Sequence, residues 1–328
     1  MSLFTHDESL VQESFRLFRR HPKVLVPLVA ATLVYVPTVL YLDFGVPWED
    51  LRQRDALLIV FGAVFLFATL LSVCCSVLLE LLQDLESGRE PSLGRAVAST
   101  LRLNLLQMIP IIIVWTVIWF LLVVIQAMLS RKKKRGGSER SFSAENASRA
   151  LAGGGGGHFS FTAAYFRMLQ KLVRMVVFLI LPGIAWQGLS FPRAIRRGFT
   201  IFRAHPRQFL AAFGMTELVT FMLFLPALLL LYASDLFDAQ LPEGVWIGVI
   251  LYIGCGWMYS IYLEQMYTAQ LYLWHMKWER EVARRQATGR DVPGIEAVKR
   301  PSLLDRVYEL AHDEPRQAQG PLERPSPA

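Results

Sequence analysis

Six stretches of this chain are too apolar and too long to belong to the core of a soluble domain. They cover residues 24–42, 56–79, 105–130, 172–190, 208–233 and 245–271, approximately. Crossing a hydrocarbon layer of roughly 30 Å takes about 20 residues of helix, which satisfies its own backbone hydrogen bonds there. Only 19% of the residues are charged, against about a quarter in soluble domains. The sequence therefore predicts an all-α, polytopic integral membrane protein with six transmembrane helices.

The fourth stretch is the weakest of the six. Lys171 and Arg174 lie at its beginning, and Pro182 and Gly183 interrupt its middle. Proline and glycine are tolerated in membrane helices that pack against neighbours. A full crossing is therefore favoured, and an in-plane or re-entrant segment is the alternative.

A short basic motif precedes two of the spans. Residues 15–22 read F-R-L-F-R-R-H-P and residues 199–206 read F-T-I-F-R-A-H-P, so both fit F-x-x-F-R-x-H-P. A fainter copy precedes the third span, where R-A-V at 95–97 echoes R-A-I at 193–195. Such self-similarity indicates an internal repeat. Three units, each a basic lead-in followed by a hydrophobic hairpin, account for all six spans.

We call these segments the first lead-in (residues 14–23), the middle lead-in (95–105) and the last lead-in (193–207). On a helix, Phe15 and Phe18 share a face, which can enter the acyl boundary while the arginines meet lipid phosphates. The His-Pro pair then ends this surface helix before the span begins. The alternative is a plain charge cluster that fixes topology. The candidate lipid-contacting residues are Arg16, Arg19, Arg20, His21, Arg196, Arg197, Arg203, His205 and Arg207.

This pattern resembles uncharacterised families of multi-pass bacterial and archaeal membrane proteins, in which F-R-x-x-R-x-[HN]-P lead-ins precede long apolar helices. The similarity is best over residues 172–232, where Leu181-Pro182-Gly183 is followed by the last lead-in. Those families have no assigned reaction. The resemblance therefore implies architecture and membrane location, and it implies no substrate.

The insert at residues 131–160 departs from that compact pattern. It begins with a basic cluster and ends with the glycine run 153–157, and its composition is typical of a flexible linker. The glycines are followed by His158 and not by the Lys-Ser/Thr of a phosphate-binding loop. Beside a membrane helix, the basic cluster favours anionic lipid headgroups over nucleic acid. Its members are Arg131, Lys132, Lys133, Lys134 and Arg135.

The distribution of Lys and Arg predicts the orientation, because loops on the cytoplasmic side are enriched in both residues. With the N-terminus inside, the inner segments hold the lead-ins and the basic stretch 277–285, while residues 235–244 on the outer side hold neither Lys nor Arg. The basic cluster at 131–135 conflicts with this arrangement. Either the insert is an outer loop tolerated despite its charge, or a span is miscounted and residues 131–171 are cytoplasmic. The repeat favours the first explanation, so we expect both termini in the cytoplasm.

Two carboxylates inside the spans are the candidate polar intramembrane residues. Glu217 lies nine residues after Gln208, well into the fifth span, where a carboxylate is costly unless it faces the bundle, is protonated or finds a partner. It could serve proton- or cation-coupled transport, or it could be hydrogen-bonded to a neighbouring helix. Glu264 lies among tyrosines near the end of the sixth span and could accept their hydrogen bonds or face headgroups.

The remaining features favour no catalytic function. The six histidines have no metal-binding spacing, and we find no nucleophile motif or paired carboxylates at helical spacing. We therefore expect a transmembrane domain over residues 1–275, a partly disordered cytoplasmic tail over 276–328 with a short helix after Ser302, no cofactor and no metal. The leading hypothesis is a non-enzymatic component of a bacterial-type inner membrane that acts through helix packing, lipids or protein partners. The alternative is a small-solute or ion transporter that uses Glu217.

Overall fold

A computed structural model describes residues 14, 16–48, 50–86, 89–129, 161–236, 242–289 and 291–301 of the chain. Within these residues all regular structure is helical. The α-helices are α1 Val26–Leu40, α2 Gln53–Glu86, α3 Leu93–Ser99, α4 Leu105–Leu129, α5 Phe161–Ala185, α6 Phe191–Ala204, α7 Pro206–Leu236 and α8 Glu243–Ala287. The basic cluster 131–135, the rest of the insert and the proposed tail helix after Ser302 lie outside the described residues.

Six of these helices are long and apolar enough to cross a membrane, by length and composition. The candidate spans are Pro22–Leu40, Gln53–Leu85, Leu105–Met128, Ala164–Ala185, Pro206–Ser234 and Gly244–Ala287. The described part of the chain is thus all-helical and that of a polytopic membrane protein, and the predicted number of long apolar helices is confirmed within it.

The fourth span differs from its predicted bounds. Helix α5 begins at Phe161, so it starts earlier than the predicted 172–190, and it ends at Ala185. Lys171 and Arg174 therefore lie inside this helix and not at its end. The helix continues through Pro182 and closes where Gly188, with φ 58°, adopts the left-handed conformation that suits glycine.

Helix α8 lies at the centre of the packing. It contacts α1, α5, α6 and α7, and consecutive long helices also contact each other in the pairs α1–α2, α4–α5 and α7–α8. Its residues from Met258 to Met276 are almost all buried, in one continuous apolar core. Tyr35 of α1 stacks on Trp257 with ring centroids 4.2 Å apart. A cavity of about 20 Å³ between α1, α2 and α8 has room for about one water molecule.

The first and last lead-ins end in the same way. His21 and His205 have nearly equal backbone angles, φ −131° and ψ 74° against φ −133° and ψ 53°. In each case the histidine N–H donates to the carbonyl four residues earlier, that of Leu17 or Ile201. The following proline then opens the next helical segment. The middle lead-in has no such proline and runs into α4 through a π-helical turn at Thr100–Asn104.

The apolar sides of the lead-ins pack on the protein. Leu17 is 2% exposed and Ile201 is fully buried. Phe18, which the sequence suggested would enter the acyl boundary, packs instead on Tyr262 with ring centroids 4.7 Å apart. Phe18 thus lies against a protein surface, because α8 presents Tyr259 and Tyr262 beside it.

Candidate functional site

Four charged side chains from three helices meet inside the bundle, and we call them the charge cluster. Helix α5 contributes Lys171 and Arg174, α7 contributes Glu217 and α8 contributes Glu264. Arg174 donates two hydrogen bonds to Glu264, from Nε to Oε2 at 2.6 Å and from Nη2 to Oε1 at 2.8 Å. Lys171 Nζ donates to Glu217 Oε2 at 2.6 Å and lies 3.8 Å from Glu264 Oε1. The four charges balance in two pairs.

The helical phase of each segment brings these groups together. Lys171 and Arg174 are three residues apart, so they project from one face of α5. Glu217 is 11 residues beyond Pro206, where α7 begins, and at 1.5 Å per residue it stands about 17 Å along the helix. His275 of α8 contacts His205 at the beginning of α7, and Glu264 precedes it by the same 11 residues. Both carboxylates therefore lie at one level, near the middle of their spans.

Burial differs sharply across the charge cluster. The side chain of Glu264 is 0% exposed, and those of Lys171 and Arg174 are 7% and 12% exposed, whereas that of Glu217 is 64% exposed. The Arg174 guanidinium also lies 5.9 Å from the ring centroid of Trp257. Glu264 is thus held by a fork-like pair with an arginine, in place of the tyrosine or headgroup contacts expected for it. Glu217 has found a cationic partner, although its side chain faces outward.

Polar contacts tie α7 to α8 and α5 to α8 beside the charge cluster. The hydroxyls of Thr220 and Ser260 are 2.5 Å apart, and either can be the donor. The side-chain amide of Gln265 donates to the carbonyl of Phe178 at 3.4 Å. Such hydrogen bonds between membrane helices stabilise packing by modest amounts. They add contacts between helices beside the Arg174–Glu264 pair, while Oε1 of Gln265 is buried without a hydrogen-bond partner among the described residues.

A second network joins the last lead-in to α8, and we call it the histidine network. Arg197 of α6 donates to Glu279, with Nη1 2.6 Å from Oε1. Nε2 of His275 lies 3.0 Å from the same carboxylate oxygen, and its Nδ1 is 2.9 Å from His205 Nε2. Trp278 stacks on His275 with centroids 5.5 Å apart. The network connects α6, and the histidine that follows it, to the C-terminal part of α8.

His205 is held in its neutral form by these surroundings. Its side chain is buried, with the residue 4% exposed. Burial and the neighbouring His275 lower the pKa of His205 from about 6.5 to about 4, although Glu279 opposes this. A neutral imidazole can accept a hydrogen bond from His275 or donate one to it, and which ring is the donor depends on the two tautomers.

The structure divides the predicted lipid-contacting residues into two groups. The exposed ones are Arg16, Arg19, Arg20, Arg196, Arg203 and Arg207, and His21 is half-buried. Arg197 and His205 are turned toward α8 and belong to the histidine network. The residues 131–135 are outside the part of the chain that the structure describes.

Sequence reasoning missed Lys171, Arg174, His275 and Glu279 as members of these sites. The one local signal was the pair of basic residues three apart in an apolar segment, which we had assigned to the end of a span. A surface groove of about 620 Å³ contains none of these residues, because it is lined by Gln53, Arg54, Leu57, Leu58, Phe61 and Phe120.

Comparison of the chain with models of known protein families, with curated proteins and with solved structures gives no match.

Proposed function

We propose that this chain is a non-enzymatic, multi-pass protein of a bacterial-type inner membrane, which anchors to anionic lipid headgroups and acts through helix packing and contacts in the membrane. One observation carries the proposal. In the first and last lead-ins, Leu17, Phe18 and Ile201 pack on the helix bundle, and the described arginines other than Arg197 are exposed. A guanidinium in that position pairs with lipid phosphate through two parallel hydrogen bonds.

The exposure pattern supports a headgroup-level position for both lead-ins. In the first, Leu17 is buried while Arg19 and Arg20 are exposed. In the last, Ile201 is buried while Arg203 and Arg207 are exposed. Each lead-in ends where a candidate span begins. Basic side chains near an anionic membrane surface contribute about 1 kcal/mol each to binding.

The three-repeat architecture belongs to the proposal, together with the likeness to uncharacterised multi-pass families. Residues at equivalent repeat positions share their environment, since the small side chains of Ser14 and Thr100 are fully buried and Gly198 is buried too. Ala96 and Ala194, which are equivalent positions of the middle and last lead-ins, are also both buried, at 2% and 1% exposed. A small residue at these positions lets each lead-in approach the bundle closely.

Lipid analysis after extraction in polymer-bounded membrane discs tests the anchoring role. We expect anionic lipids to be enriched around the wild-type protein and less so around the Arg19→Gln/Arg20→Gln variant. The matched control is Arg52→Gln/Arg54→Gln, which removes two exposed arginines outside the lead-ins. Equal enrichment in the two variants contradicts the proposal.

Cysteine labelling tests the orientation, in which the lead-ins and both termini are cytoplasmic and the insert is outside. In a variant whose native cysteines are replaced, we expect Ser143→Cys to react with an impermeant maleimide in intact cells or spheroplasts. Reaction only after the inner face is opened would place the insert at residues 131–160 in the cytoplasm and would mean that the chain crosses the membrane fewer times between the middle and last lead-ins.

Transport of an ion or small solute is the second candidate function, because the side chain of Glu217 is 64% exposed near mid-span. We favour the anchoring role because the charge cluster is neutral and its groups are paired at 2.6–2.8 Å. Proton or cation flux in proteoliposomes that disappears in Glu217→Gln would establish transport instead.

A further inference from the structure

Helix α7 is the least covered of the candidate spans. Its span is 18% buried, whereas the other five are 28–56% buried. Along it runs a stripe of exposed residues, which we call the α7 stripe: Leu210, Gly214, Glu217, Phe221 and Leu228. The spacing of four, three, four and seven residues keeps all five on one side of the helix.

The α7 stripe has the chemical composition of a contact between membrane helices. A side chain added at Gly214 would meet nothing within 4 Å, so the glycine lies on an open surface where another backbone can come close. Leu210 is 58% and Phe221 is 53% exposed, which provides apolar side chains on both sides of the glycine. Small and polar residues together are typical of such interfaces.

Leaving the α7 stripe exposed to acyl chains costs free energy, because Glu217 lies on it. Its Oε2 accepts the hydrogen bond from Lys171, and among the described residues no hydrogen bond reaches its Oε1. A carboxylate oxygen that faces acyl chains at mid-depth loses its hydration without compensation. A group that donates a hydrogen bond to Oε1 would remove this cost.

We propose that the α7 stripe binds a transmembrane helix of another protein, one that carries an uncharged hydrogen-bond donor, such as a glutamine side chain, at the depth of Glu217. The donor is uncharged because Lys171 and Arg174 already balance Glu217 and Glu264, and a further cation would leave the buried cluster positive. A second copy of the chain fits less well, since two-fold symmetry brings equal depths together and the two Glu217 carboxylates would repel each other. This inference rests on the proposed function, of which it specifies the partner.

Energy transfer in proteoliposomes tests this inference with full-length protein. A donor dye is attached to the exposed Cys255 in a variant in which Cys74 and Cys75 are replaced by alanine. The probes are two acceptor-labelled synthetic transmembrane peptides, one of leucine throughout and one with a single central glutamine. We expect the glutamine peptide to bind about 5- to 30-fold more tightly, as a hydrogen bond between model membrane helices allows.

Substitutions on the α7 stripe should change this preference in distinct ways. Glu217→Leu should abolish it, whereas Glu217→Gln, which keeps an acceptor, should retain it. Gly214→Leu should weaken the binding of both peptides by blocking close approach. The matched control is Gly248→Leu on α8, another exposed glycine with nothing within 4 Å of an added side chain, which should leave binding unchanged. If Glu217→Leu does not fold, the Gly214→Leu variant decides the question, since it leaves the charge cluster intact.

Three results would overturn the inference: equal binding of the two peptides by the wild type, equal effects of the Gly214 and Gly248 substitutions, or energy transfer between copies of this chain that depends on Glu217. The last result would identify a second copy as the occupant. Failure here is separable from failure of the anchoring role, because lipid enrichment depends on the lead-in arginines and peptide binding depends on the α7 stripe.

Discussion

The substitution Glu264→Gln should destabilise the protein more than any other conservative change in the charge cluster. Glu264 is 0% exposed and receives both hydrogen bonds from Arg174. Without its charge, Arg174 and Lys171 share only Glu217, whose side chain is 64% exposed, and the cluster becomes positive. Removing one partner of a buried ion pair costs about 3–5 kcal/mol, which is about a hundredfold or more in the unfolding equilibrium.

Two controls isolate the cause of this loss. Glu217→Gln makes the same chemical change in the same cluster, but Lys171 keeps Glu264 at 3.8 Å, so we expect a smaller cost than for Glu264→Gln. The double variant Arg174→Leu/Glu264→Leu removes both buried charges, and replacement of a buried pair by apolar residues is often neutral. It should therefore be more stable than Glu264→Gln.

Reversible unfolding in mixed micelles at rising SDS fractions, followed by tryptophan fluorescence, measures these free energies. If Glu264→Gln costs no more than Glu217→Gln, the Arg174–Glu264 pair is not the main ionic contact of the bundle. If the double variant is as unstable as the single one, the loss reflects packing around residue 264 and not an unpaired charge.

Three further measurements test other parts of the structure. The pKa of His205 is about 4 in the folded chain, so the folded chain binds fewer protons than the unfolded chain between pH 6.5 and 4. The free energy of unfolding should therefore fall as the pH is lowered through this range, and it should fall less in the His205→Gln variant. Gly198→Ala places a Cβ 2.7 Å from a side chain of α5 and should cost about 1–3 kcal/mol by overpacking, while Gly62→Ala, with nothing within 4 Å, should be neutral or stabilising by the same assay. Trp274→Phe removes the 2.9 Å hydrogen bond from Nε1 to the chain at residue 298 and should speed proteolysis of residues 291–301.

The six long helices could be predicted from sequence because hydropathy over a span is a local property. The charge cluster could not, because each of its contacts joins distant positions. Lys171 and Glu217 are 46 residues apart, and Arg174 and Glu264 are 90 apart. A search for uncharged runs finds only the part of α5 after Arg174, and the fourth span was therefore predicted to begin near residue 172, although α5 begins at Phe161. Charges that find partners inside a bundle are hidden from such a search.

The histidine network also shows how far local sequence can predict structure. The repeated His-Pro pair was visible in the sequence, and its end-of-helix geometry agrees at His21 and His205. The environments of the two histidines nevertheless differ, since His21 is half-buried while His205 contacts His275, 70 residues away. Local sequence predicts the backbone at such a pair, and the neighbouring helix determines what the side chain does.

The middle lead-in supports a physical origin for the break between lead-in and span. A proline lacks an N–H and disfavours the α-helical conformation of the residue before it, and both histidines leave that conformation, with ψ 74° at His21 and ψ 53° at His205. The middle lead-in has no proline in its turn Thr100–Asn104, and there the helix winds on through a π-helical turn into α4. Ala96 and Thr100 are nevertheless buried, as Ala194 and Gly198 are. Small residues are thus buried both in a lead-in that has the proline and in one that lacks it, so their burial does not require the helix to be broken before the span.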